Sequence, residues 1–183
     1  MGFGDIKSIN DLYNFLLSEI DYGFIDHHNN KLVKKNSPQI YYLDTLFREY
    51  YLQSPFDVIN NKIGLCYDHV ELMRHWLIKH GYDVNTFYSN IYNHSIITFK
   101  DNDKYYWMET SLKKYIGIHE YKSINILLND YINKMMNDTK LDYDLFELYY
   151  FNDVKYGCDF YDYVMNIKNK KDNLILSKKR NNS

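Results

Sequence analysis

The sequence predicts an α+β domain, and three observations carry that prediction. Apolar residues recur at helical spacing near the N-terminus and again after residue 64. Between residues 84 and 109 the pattern changes to extended aromatic runs around a polar turn, and helical spacing returns after Ser123. The chain thus carries both helices and a run of strands, the parts of an α+β domain. At 183 residues the chain is long enough to bury a sizeable core as one domain. Tyrosine supplies 21 of those residues, so rings should fill much of the core and its rim.

Taken in order, Ser8 reads as the N-cap of a helix over residues 9–19, with Ile9, Leu12, Phe15, Leu16 and Glu19 on successive turns. Residues 21–26 are short, aromatic and extended, and 27–31 form a polar loop. His27 and His28 are sequence neighbours whose side chains point apart, a poor start for a metal site. Ser37-Pro38 opens a second helix, with Leu43, Leu46, Phe47 and Tyr50 as its apolar stripe, and Ser54-Pro55 ends it. A connector over 56–64 leads into a third helix that begins at Cys66 and stops at Gly81, a left-handed cap. Strands follow at 84–88, 94–99 and 105–109. Residues 111–121 read as a loop, 124–136 as a helix capped by Ser123, 145–151 as a strand and 158–167 as a short helix. From Lys168 the chain turns to Lys, Asn and Asp, which predicts a mostly mobile tail over 168–183 with Leu174-Ile175-Leu176 docking on a single domain over 1–167.

Composition removes several function classes. Alanine is absent while Asn, Lys, Ile and Tyr abound, the mark of an AT-rich genome rather than of a fold, so Lys-Asn runs carry little functional weight. The net charge of −2 comes without a basic stripe, which argues against nucleic acid as a partner. Two cysteines, Cys66 and Cys158, make neither a disulfide framework nor a ligand set, so no metal or other cofactor is expected. Free thiols suit a reducing compartment, and with no basic-then-apolar leader and no long apolar run the expectation is a cytoplasmic protein without a membrane partner. Met1-Gly2 lacks the Ser or Thr at position 6 that myristoylation needs, Ile6 standing there instead.

The chemistry centres on Cys66. Cys66, Val70, Met73 and Leu77 share one helical face, so the thiol points where the helix packs. The helix N-terminus offers free N–H donors and about half a positive charge, a setting that suits an attacking sulfur and a developing oxyanion. Read alone, such a cysteine is as well explained by packing, since free Cys is among the most buried residues. The downstream hairpin adds partners. If Asp101-Asn102 is a two-residue turn, Lys100 faces Asp103 and His94 lies directly opposite Glu109. Facing side chains sit about 5 Å apart at Cβ, close enough for an imidazole to bond a carboxylate. Cysteine, histidine and acid are the parts that acyl transfer needs: a sulfur to attack an amide carbonyl, an imidazole to move the proton, a carboxylate to fix the ring. His69, one turn after Cys66, is a rival base, and Cys66, His69 and His94 together give a remote metal-hydrolase alternative that lacks paired ligand spacing.

Gly64-Leu-Cys66-Tyr-Asp-His-Val-Glu-Leu, then His94-Ser-Ile-Ile-Thr-Phe and Tyr105-Tyr-Trp107-Met-Glu109-Thr-Ser, resembles the core of the transglutaminase-like superfamily over roughly residues 50–125. Gly117-Ile-His-Glu-Tyr121 is similar to a loop of small bacterial and phage members. The resemblance implies a papain-like α+β fold, with a central Cys-bearing helix on an antiparallel sheet. It implies Cys66 as nucleophile, His94 as base and Glu109 as orienting acid, acting on a peptide or protein carboxamide by hydrolysis, deamidation or transamidation. Gln53 stands where related thiol enzymes keep an oxyanion donor, the Cys66 N–H is a second such donor, and Tyr67, Asp68 and Trp107 are candidate site neighbours. The chain departs from the pattern in three places. The acid is more often Asp, Ser95-Ile96 replaces a small residue followed by an aromatic, and Tyr67 replaces a frequent Trp. These departures leave the substrate open and motivate the alternative of an inactive module that binds a peptide or protein partner.

Overall fold

The computed structural model describes residues 3–36, 39–138 and 145–179. It is an α+β protein with six α-helices and nine strands among those residues. Helix α1 (Ile9–Glu19) begins at Ser8, whose hydroxyl accepts from the Asp11 N–H while the Asp11 carboxylate accepts from Ser8 N–H. That reciprocal pair satisfies donors every helix start leaves open. Leu12, Phe15 and Leu16 are its buried face. Strands β1 (Asp21–Ile25), β2 (Lys31–Val33) and β3 (Ile63–Gly64) form a small sheet in the order β2-β1-β3.

Helix α2 (Gln39–Glu49) occupies the stretch expected of the second helix, although its predicted opening at Ser37-Pro38 and the Leu43 side chain lie outside the described residues. Within its stripe Tyr50 is fully buried, but Phe47 is exposed and packs edge-on against Phe160. Ser54-Pro55 does not end a helix. It starts α3 (Pro55–Asn61), with the Ser54 hydroxyl accepting from the Asp57 N–H and Pro55 in the first turn. Proline lacks only an N–H that the first turn would leave unpaired anyway, so Ser-Pro marks a beginning here.

Helix α4 (Cys66–Lys79) ends as its glycine predicts. Gly81 has φ +83°, its N–H donates to the Ile78 carbonyl and the Tyr82 N–H to that of Leu77. The two bonds close a Schellman motif, and Tyr82 stacks back on Trp76.

The main sheet has six antiparallel strands in the order β7-β6-β5-β4-β8-β9: β4 (Asp83–Ser89), β5 (His94–Asp101), β6 (Lys104–Glu109), β7 (Gly117–Tyr121), β8 (Leu145–Phe151) and β9 (Leu174–Lys179). Two of these were not expected as strands. Residues 117–121, read as loop, pair with β6, and residues 174–179, read as mobile tail, pair with β8. Both are edge strands, whose short or polar sequences carry little of the alternation that marks a half-buried strand.

Side chains alternate across this sheet into two cores. Tyr88, Ile97 and Met108 face a layer built from α1, α3, α4 and α6 (Phe160–Lys168). Phe87, Ile96 and Trp107 face α5 (Ile124–Asp138), with Leu127, Tyr131 and Met135. The period of two thus serves two layers at once.

Candidate active site

Cys66 is the first residue of α4 and is 6% exposed. The strand before it, β3, runs parallel to β1 with Gly64 beside Tyr22, so the approach to the helix is pinned by a sheet. Gly64 is extended rather than left-handed, so its value is not a sharp turn. A Cβ there would sit 2.9 Å from the Asp68 Cβ and 3.1 Å from His69 Cδ2. The helix start packs against bare backbone, and Gly64→Ala is expected to cost about 1–3 kcal/mol as the first turn is displaced. Urea unfolding checks this, an unchanged midpoint being the contrary result.

Asp68 caps the same helix from within. Its carboxylate is fully buried and accepts from Leu65 N–H at 2.8 Å, Gln53 N–H at 2.9 Å and Tyr50 O–H at 3.1 Å. Burial pushes its carboxyl up to about 7 against the pull of those donors. With three donors around it, Asp68 fixes the helix entry and does not steer the imidazole.

Gln53 is also structural. It is 1% exposed, its amide donates to the Ile63 carbonyl at 3.0 Å and its oxygen accepts from Asn61 at 2.9 Å. Those bonds tie α3 to β3, so the expected oxyanion role gives way to a strut. The Cys66 N–H, at the first helical position, has no intrahelical acceptor.

His94 opens β5 directly after a strained turn. Tyr92 and Asn93 both take positive φ, 58° and 45°, costly for residues with side chains. The turn is held by the Tyr67 hydroxyl, which donates to the Asn93 carbonyl, and by the Tyr88 hydroxyl, 2.7 Å from Asn93 Oδ1. Tyr67 therefore reaches from the Cys66 helix to the residue before His94, and its buried ring lies against Tyr50, Phe160 and Tyr163.

The hairpin register differs from the expectation by two residues. Asp101 pairs with Lys104 and Ile97 with Met108, because the turn is Asn102-Asp103 with Asn102 at φ 53°. Continued by one residue, this pairing sets Glu109 beside Ile96, diagonal to His94. A slip of two preserves the face, and diagonal neighbours remain within reach of long side chains. His94 Nε2 lies 2.8 Å from Glu109 Oε2, with the residues 3% and 2% exposed.

The second Glu109 oxygen accepts from Ser111 N–H at 2.8 Å, Ser111 O–H at 3.0 Å and Leu112 N–H at 3.0 Å. Burial works to raise the Glu109 carboxyl, but His94 and those donors outweigh it and hold it below the usual carboxylate value. Burial likewise works to depress His94, yet the charges of Glu109 and of the nearby Cys66 push it up to about 10. Its partners thus favour the charged ring against the pull of burial. Since Nε2 serves Glu109, the nitrogen left for the sulfur is Nδ1.

The rival base is differently occupied. His69 Nδ1 lies 2.9 Å from Thr110 Oγ1, and burial drives the ring down to about 4. Trp107 is fully buried in the α5 core, stacked on His119 and edge-on to Tyr131, and is not a wall of the site. Cys158 is buried away from this array, beside Asp153, Tyr163 and Ile167, and burial pushes its thiol up to about 11. No cluster of three or more His, Cys, Asp or Glu suited to a metal ion occurs among the described residues. Nor is any described helix long and apolar enough to cross a membrane.

The Ser111 and Leu112 donors escaped sequence reasoning, since main-chain N–H groups leave no residue-type signal. The Glu-Thr-Ser sequence closing β6 was the available hint, hydroxyl residues being frequent in turns that fold back on a carboxylate. Comparison of the chain with family models, with curated proteins and with solved structures finds no match.

Proposed function

We propose that this protein is a cysteine-dependent acyl-transfer or amide-hydrolysing enzyme of transglutaminase-like type, with Cys66 as nucleophile, His94 as acid–base and Glu109 as orienting acid. One observation carries the reading. A buried imidazole is held at 2.8 Å by a carboxylate on one nitrogen and interacts electrostatically with a cysteine at a helix N-terminus. The Cys-bearing helix against an antiparallel sheet also agrees with the papain-like arrangement that the sequence resembles.

In this mechanism the Cys66 sulfur attacks an amide carbonyl carbon, and the carbonyl oxygen takes the charge near the Cys66 N–H. Collapse breaks the C–N bond as His94 gives its proton to the leaving nitrogen. The neutral imidazole then takes a proton from the acceptor that resolves the thioester. Water as acceptor gives hydrolysis or deamidation, and an amine gives a crosslink. Glu109 keeps its charge throughout and holds the ring with one nitrogen toward the sulfur.

Iodoacetamide is expected to label Cys66 at least about a hundredfold faster than Cys158 near pH 7, where a thiol raised to about 11 is about one part in ten thousand thiolate. Peptide mapping after timed quenching reads the two rates. Equal, slow labelling would sink the proposal. The 6% exposure of Cys66 favours a second reading, a module that holds a peptide without turning it over. In that case Cys66→Ala keeps the full phenotype, whereas an enzyme loses it.

A further inference from the structure

Next to the Cys66, His94 and Glu109 array lies a cleft of about 680 Å³. It opens between the end of α1, the β1–β2 sheet and the loop that follows Glu109. Its connection to the array is direct along the chain. His69 in its lining is one turn of α4 beyond Cys66, Thr110 to Leu112 follow Glu109, and Tyr92 precedes His94 by two residues. The walls are aliphatic, with Leu16, Leu17, Leu112 and Ile116 among them.

Two features say what would fill it. The first is an unpartnered polar atom. His69 is 2% exposed and its Nδ1 is committed to Thr110, but its Nε2 is buried with no hydrogen-bond partner. An orphaned imidazole nitrogen among apolar walls costs free energy that a ligand amide can relieve. Burial holds this ring neutral, so it addresses a neutral group rather than an anion.

The second feature is the charge at the mouth. Lys34, Lys35 and Lys113 line the cleft and are exposed. The one carboxylate in the lining, Asp21, is bridged by Lys35 at 3.1 Å. Lys34 is drawn over the mouth by the Tyr22 ring, its ammonium 5.3 Å from the ring centre. A low-dielectric cleft with a cationic rim concentrates anions at its opening.

We infer that this cleft is the substrate subsite of the acyl-transfer centre, and that it takes an apolar side chain of a peptide flanked by acidic residues, with His69 Nε2 bonded to an amide of that peptide. The inference rests on the proposed function for its link to turnover, but the binding itself can be read without turnover. It is tested on the full-length Cys66→Ala chain by fluorescence anisotropy. The probes are two dye-labelled hexapeptides, glutamine–glycine–leucine–glutamate–glutamate–glycine and the same peptide with lysines for the glutamates.

The acidic peptide is expected to bind at least about tenfold more tightly at about 0.1 M salt. That advantage is expected to shrink at about 1 M salt, where the screening length falls from about 10 Å to about 3 Å. Reversing the rim with Lys34→Glu and Lys113→Glu together, both surface changes, is expected to invert the preference. Replacing the probe leucine by serine, or His69 by Phe, is expected to weaken the acidic peptide by about tenfold. Equal binding of the two peptides, or a preference untouched by the rim reversal, would overturn the subsite. A reactive Cys66 without a peptide preference removes the subsite and leaves the enzyme, while a clear preference with an inert Cys66 removes the enzyme and leaves the subsite.

Discussion

Replacing His94 with alanine is expected to slow iodoacetamide alkylation of Cys66 by about ten- to a hundredfold near pH 7, and to lower any amide turnover by about 10²–10⁴. The effect follows from what faces the sulfur. In the parent protein Glu109 and Cys66 favour the charged imidazolium there against burial. Alanine removes both the cation and the proton that the leaving amine must receive. Glu109→Gln refines the test, because it keeps the side chain's size and removes its charge. The imidazolium then titrates lower, and the pH dependence of alkylation moves toward neutrality. Intact-mass kinetics across pH 5–10 read both variants, with Cys158 as an internal slow thiol. If His94→Ala is alkylated at the parent rate across that range, His94 is a structural histidine and the triad fails.

The second large effect is on stability. Asp68→Ala is expected to cost about 3–5 kcal/mol, because the Leu65 N–H, the Gln53 N–H and the Tyr50 hydroxyl would be left buried without their acceptor. The pH dependence has a definite sign. Burial raises the carboxyl from an unfolded value of about 3.9 to about 7 in the folded state. The folded state therefore binds the proton more tightly, and this group's stabilising contribution is full below about pH 4 and is lost as pH rises through about 7. The gap between parent and Asp68→Ala should then be wider at pH 5 than at pH 8. Urea unfolding at the two pH values checks it. A gap that widens with pH, or a cost below about 1 kcal/mol, would mean that Asp68 does not hold the helix entry.

Much of the fold was legible because its signals are local. Ser8 with Asp11, and Gly81 after Lys79, are caps whose chemistry is complete within a few residues, and both ends fall where the sequence puts them. The α3 start is ambiguous in sequence for an equally local reason: Ser-Pro can follow one helix and open the next. Strands β7 and β9 were illegible because an edge strand is specified by its neighbour. The grouping of Cys66, His94 and Glu109 was legible by residue type and face, since hairpin parity survives a slip of two. Their spacing was not, because the register depends on which residue of the turn takes positive φ, and that is Asn102. The inward commitments of Asp68 and Gln53 depend on how residues 50–53 and α3 meet α4 and β3, which no single stretch encodes.

The sulfur and the imidazole belong to different elements, one to the first turn of α4 and the other to the first residue of β5. Their contact is thus a gauge of the spacing between helix and strand. A core substitution that lifts the helix by a fraction of an ångström weakens that contact long before the protein melts. Alkylation kinetics at Cys66 then report strain in the packing, and a variant far from the site can be ranked by its thiol reactivity while its unfolding curve stays unchanged.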